Sequence, residues 1–153
     1  RLRADQLHAR LSTPGPERPL SSYLADPPEE VAAGLQYTRQ AVRRIADAAA
    51  AQGARTAIIL MPARFQVDSA DYGRLRDAAR AAGGDLIRDA ATERFQEALA
   101  PLGLPMVDLL PTLREQDDPV GLFFQRNIHL TPRGHLVVGV TLERFLHAQG
   151  LLR

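Results

Sequence analysis

The run Thr56-Ala-Ile-Ile-Leu-Met61 constrains this chain more than any other segment. It is continuously apolar, has the length of a strand and is stopped by Pro62. A strand with one wet face alternates apolar and polar residues, whereas an unbroken apolar run suits a parallel strand buried on both faces. The preceding segment is helical in pattern. Val31, Leu35, Thr38, Val42, Ile45 and Ala49 recur at three- and four-residue steps and form one mainly apolar stripe. Asp26-Pro27 is the expected start of that helix, with Asp26 as its cap. Glu29 and Glu30 fall in the first turn, where the helix dipole favours them, and Gly53 is the stop.

The alternation continues downstream. A polar loop leads to a helix expected from about Ala70 to Ala82, broken at Gly83-Gly84, and to another from about Ala90 to Leu102, ended by Gly103. Pro105-Met-Val-Asp-Leu109 reads as a second strand, followed by a helical turn near Leu113. A polar loop over 115–119, an apolar plug Leu122-Phe-Phe124 and a last helix from Pro132 to about Gln149 complete the chain. Residues 1–26, with Pro14, Pro16 and Pro19, read as an irregular arm after a short helical start. Helices alternating with strands imply an α/β fold. Two strands are few for such a sheet, which normally has about five. Residues 27–153 are therefore expected to be the C-terminal part of a larger α/β domain. The open edge of the strand at 56–61 should be covered by the missing N-terminal part or by a partner.

Composition narrows the function classes. A chain of 153 residues fits one domain. Its net charge of +1 gives no electrostatic case for nucleic acid or an anionic membrane. All 19 basic residues are arginine, which with the many alanines suggests a GC-rich coding bias. Cysteine is absent, so disulfides, thiolate catalysis and cysteine-ligated metals are excluded, while the redox compartment stays open. No apolar run approaches the roughly 18 residues of a membrane span. The first residue is Arg1 rather than methionine, so a processed or trimmed product is expected.

The segment Asn127-Ile-His-Leu-Thr-Pro-Arg-Gly-His135 carries the candidate chemistry. Thr131 is a good N-cap, and Pro132 suits the first helical position because the N–H it lacks would be unpaired there. His129 is thereby set on a short loop at a helix start, where it serves either as a general base or as a structural histidine. His135 falls in the first turn, and its expected place is a helix–sheet contact beside Gly134. His129 and His135 do not form a recognised zinc spacing, and His8 and His147 offer no third ligand, so neither metal nor cofactor is expected.

The order of these features resembles the SGNH (GDSL-like) hydrolases, and does so over most of residues 27–150. A long helix leads to a strand ending in proline, Ile58-Ile-Leu-Met-Pro62. Helices with a glycine-containing break, the short Val107-Asp-Leu109 strand and the pair Phe123-Phe124 follow, before the histidine block. That block is nearest to polysaccharide acetyltransferase and acetylesterase branches. The resemblance implies a three-layer α/β/α domain with a parallel sheet, of flavodoxin-like type. It implies acyl-ester chemistry on a glycan or small-molecule ester, and a periplasmic or secreted location. His129 matches the histidine that deprotonates the nucleophilic serine and later protonates the leaving group. An aspartate expected two or three residues earlier is replaced here by Asn127 or Arg126. An asparagine oxygen can still accept the ring N–H, but brings no charge; in serine proteases loss of that charge costs about four decades of rate. The candidate catalytic residues are thus His129 and Asn127, with Asp117 and Asp118 as substitutes reaching back from their loop. The family's Gly-Asp-Ser block and its oxyanion donors are not found and are expected upstream of Arg1.

Other residues have plainer readings. Asp68 or Ser69 caps the helix from Ala70 rather than forming a nucleophile turn. Ser21-Ser22 is solvated, Asp108 pins the turn after its strand or faces the crevice at the strand ends, and Arg64 is a candidate anion contact. Two other identities remain. One is a non-catalytic glycan-binding or interaction module, favoured by Asn127. The other is an unrelated flavodoxin-like domain, which lacks a phosphate-cradling glycine loop after either strand.

Overall fold

The computed structural model of the chain describes residues 18–152. Two strands, β1 (Ile58–Leu60) and β2 (Met106–Asp108), form one parallel sheet, with Ile58 opposite Met106, Ile59 opposite Val107 and Leu60 opposite Asp108. The helices are α1 (Glu29–Ala50), α2 (Arg64–Val67), α3 (Ser69–Ala81), α4 (Ala90–Leu99), α5 (Leu110–Arg114) and α6 (Pro132–Ala148). Short 3-10 turns lie at Arg18–Tyr23, Ala100–Leu102 and Val120–Leu122.

The sheet is sandwiched. On one face Val107 packs against a core of Val67, Leu109, Leu110, Leu113, Leu122, Phe123 and Val138, the last from α6. Side chains alternate across a strand, so Asp108 points to the other face. There its carboxylate accepts from Gln96 of α4 (3.1 Å), while its second oxygen accepts from the Leu110 backbone N–H (2.9 Å). The α/β class is thus the one expected, and Asp108 pins the turn.

Several local expectations need correction. β1 is not buried on both faces. Ile58 is buried, but Ile59 is 45% exposed and Met61 is also exposed, because among the described residues the sheet has two strands and one side of β1 has no neighbouring strand. Asp26 does not cap α1. Pro28 occupies the N-cap in an extended conformation (ψ 154°) without a side-chain cap bond, since two consecutive prolines hold the preceding backbone extended and delay the helix to Glu29. The expected polar loop after β1 contains α2, started by the Gln66 side chain reaching back to the Ala63 N–H (2.9 Å). Phe124 leaves the apolar plug and is exposed, whereas Leu122 and Phe123 are buried.

Of the expected arm, residues 1–17 lie outside the described residues, as does His8. The part that is described packs onto the domain. Tyr23 meets the Phe65 ring edge-on at 4.8 Å, and Leu24 bridges Leu86 antiparallel. Arg94 donates to the carbonyls of Ser22 and Leu24. Ser21 and Ser22 therefore sit in a 3-10 turn, half-buried, rather than in a solvated coil.

Candidate functional site

The site is organised by the start of α6. Thr131 caps it as expected, its hydroxyl oxygen accepting from the Gly134 N–H (3.2 Å). The same hydroxyl donates to the Gly121 carbonyl (3.0 Å), and the Thr131 N–H donates to the Leu122 carbonyl (2.8 Å). The helix start is thereby stitched to the Val120–Leu122 turn. Gly134 allows this approach, because a Cβ there would lie 2.3 Å from the Leu122 carbonyl oxygen.

His129 stands at one end of a loop that leaves and rejoins this frame. Phe123 and Leu130 form an antiparallel bridge, and the Phe124 N–H donates to the His129 carbonyl (3.0 Å). Residues 124–129 are all exposed. The His129 imidazole makes no hydrogen bond or ion pair among the described residues. Asn127 is brought next to it, but in a different contact from the one expected. Its side-chain oxygen accepts the His129 backbone N–H (2.9 Å), so that it shapes the loop.

Asp118 does not reach His129. One of its oxygens accepts from the Gly121 N–H (3.0 Å) and the other pairs with Arg133 (3.2 Å). Asp117 makes no contact with the imidazole either among the described residues. His135 is exposed rather than packed against the sheet. The inward face of α6 runs through Gly134, Val138 and Leu142, which leaves 135 and 136 on the outer side, and Leu136 is 67% exposed. His147 is exposed at the far end of the helix. Among the described residues no group of three His, Asp or Glu side chains could hold a metal ion. No helix there is long and apolar enough to cross a membrane.

Arg64, expected as an anion contact, is already engaged. It donates to the carbonyls of Phe124 (3.2 Å) and Gln125 (2.9 Å) and pairs with Asp68 (3.7 Å) and Asp71. Asp68 caps α3, accepting from the N–H groups of Ala70 and Asp71. Ser69 accepts from Arg88 (3.2 Å).

Beside this lies a polar cluster that nothing in the sequence marks. Gln66, 1% exposed, accepts from Tyr23 (3.2 Å) and donates to Thr92 (2.9 Å), while its backbone carbonyl accepts from Arg114 (2.9 Å). Arg114 in turn forms a two-pronged pair with Asp89 (2.8 and 2.6 Å). Burial raises the Tyr23 pKa above its ordinary value, and the Asp89 charge adds to that. A groove of about 710 Å³, walled by α1, Phe95 of α4 and the Ser21-Ser22 turn, is a separate feature whose lining does not include His129.

The sequence matches the family of the SGNH hydrolase-like domain of acetyltransferase AlgX over residues 20–151. The chain belongs to this family. A search of curated proteins gave no match, and a search of solved structures gave none. Membership agrees with the parallel sheet between helices and makes the chain an SGNH hydrolase-like domain of the acetyltransferase kind. The match starts inside the 3-10 turn that packs on the domain.

Proposed function

We propose that this domain takes part in acyl-ester chemistry on a carbohydrate, by hydrolysis or acetyl transfer, with His129 as general base and acid. The observation that carries this reading is an exposed imidazole on a loop tied at both ends, in a chain of the acetyltransferase kind. An imidazole so placed can take the proton of an attacking hydroxyl and return it to the leaving oxygen. The Asn127 oxygen, bonded to the His129 N–H, holds the turn beneath it. Residues 1–153 hold no Gly-Asp-Ser block. In this reading the serine and the oxyanion donors come from a segment outside them.

A chromogenic acetate ester tests this. The 153 residues alone should give no turnover. In a polypeptide that joins them to a Gly-Asp-Ser block, His129→Ala should lower kcat by about 10² to 10⁴. Equal rates in the two proteins would remove His129 from the chemistry. Turnover by the 153 residues alone, abolished by His129→Ala, would instead show that they hold their own nucleophile.

One observation favours a second reading, a non-catalytic glycan-binding module. The residue in the acid position is Asn127, and its oxygen is given to the backbone rather than to the imidazole. Glycan binding by calorimetry, unchanged in His129→Ala and without ester turnover, would support it.

A further inference from the structure

We infer that Arg64 is a positioning residue for His129, acting through the loop that carries it; the catalytic consequence rests on the reading of His129 given above. Six consecutive exposed residues, 124 to 129, cannot be ordered by packing. Their geometry depends on a few polar bonds. The Phe124 N–H to His129 carbonyl bond closes the loop, and Asn127 holds its second limb through the His129 N–H. The first limb is held by Arg64, which donates from one nitrogen to two consecutive carbonyls, those of Phe124 and Gln125.

Arg64 is well suited to this because it is itself anchored. Its second terminal nitrogen pairs with Asp68 and Asp71, and its side chain is 19% exposed. Asp68 is in turn fixed as the cap of α3. The guanidinium therefore ties α2, α3 and the histidine loop into one unit, although Arg64 and Gln125 are 61 residues apart in sequence. One terminal nitrogen gives both of its N–H groups to the two carbonyls and the other faces the carboxylates of Asp68 and Asp71, so an anionic ligand would meet two like charges there. The geometry requires a planar fork; a lysine ammonium is a single point and cannot reproduce it. A shift of about 1 Å in a catalytic group can cost roughly 10² in rate, so the fork bears directly on the chemistry.

Amide hydrogen exchange in the full chain tests this without any need for turnover. In Arg64→Ala the Phe124 amide should exchange about tenfold faster or more, while the Thr131 amide, bonded to Leu122, keeps its protection. The His129 ring should lose order in ¹³C relaxation, a signature that a purely structural contact elsewhere would not give. Arg64→Lys should behave like the alanine variant. Unchanged Phe124 exchange in Arg64→Ala, or full protection in Arg64→Lys, would overturn the assignment. If Arg64→Ala does not fold, rotation of the Arg64 guanidinium in the wild-type protein decides. Slow rotation supports the clamp, and rotation as free as that of exposed Arg126 refutes it. An exchange response in the chain, together with an undiminished rate for His129→Ala in the polypeptide joined to a Gly-Asp-Ser block, would reject the acyl-ester reading and leave the clamp standing.

Discussion

Around the histidine loop, Leu109, Leu113 and Leu122 are wholly excluded from solvent, whereas α1 buries none of its twenty-two residues. Both regions carry a clear apolar pattern, so pattern alone does not produce a core. Leu113 has α6, α2 and the Val120–Leu122 turn around it. Among the described residues α1 has only α4 as an extensive neighbour, and the groove of about 710 Å³ lies along its apolar stripe at Val31, Leu35 and Thr38. Ile59, on the β1 side of the sheet, is half-exposed. The lesson is that periodicity shows which face turns inward, while burial depends on what stands opposite.

The largest effects should fall on the histidine side. Leu113→Ala removes a fully enclosed side chain and should cost about 2–5 kcal/mol in urea unfolding. Leu35→Ala, from the half-buried stripe of α1, should cost about 1 kcal/mol or less, because less apolar area returns to water. Equal costs would break the comparison and show that α1 is packed as firmly as α5.

Two glycines sharpen it by sign. A Cβ on Gly134 would meet the Leu122 carbonyl at 2.3 Å, so Gly134→Ala must push α6 from the turn and should destabilise by about 1–3 kcal/mol. Gly34, inside α1, has nothing within 4 Å of the same added atom, so Gly34→Ala should stabilise by roughly 0.5–1 kcal/mol. Thermal unfolding of both variants would show opposite shifts. Two shifts of one sign would mean that the two helices face similar surroundings.

Much of the frame could be read from residue order. Thr131 and Pro132 mark the start of α6, Asp68 that of α3, and the two apolar runs fall on the two paired strands. These signals are local: a cap or a strand run needs only its own neighbours. What escaped depends on residues far apart. Arg64 reaches carbonyls some sixty residues away, and Arg114 meets Gln66 and Asp89 across the fold, so no window of sequence contains the contact. The helix–sheet contact expected of His135 does not form, for a related reason. At a helix start the inward direction is set by the approach of Gly134 to Leu122, which is a tertiary contact rather than a spacing. His129 and Asn127 stand together in one block of sequence, but the oxygen of Asn127 serves the backbone, a choice invisible in composition.

The described end of the chain before α1 is held chiefly by polar bonds, which makes its contribution pH-dependent in a way that the apolar core is not. Tyr23 donates to Gln66, and its pKa is raised by burial and then by the Asp89 charge. The folded state therefore binds the phenolic proton more tightly than the unfolded state does. Stability from this group is complete below the unfolded value near 10 and is lost as pH rises through the higher folded value. The sequence has no lysine and no cysteine, so its three tyrosines are the only side chains with ordinary pKa values in that window. Urea unfolding between about pH 9 and 11 should show wild-type stability falling with pH, and Tyr23→Phe should flatten the fall, since it keeps the ring against Phe65 and removes the proton. Tyr37 and Tyr72 are common to both proteins and cancel in the difference. An equal slope in the two would place the alkaline sensitivity elsewhere and make the 18–23 turn a bystander to folding rather than a pH-sensitive tie.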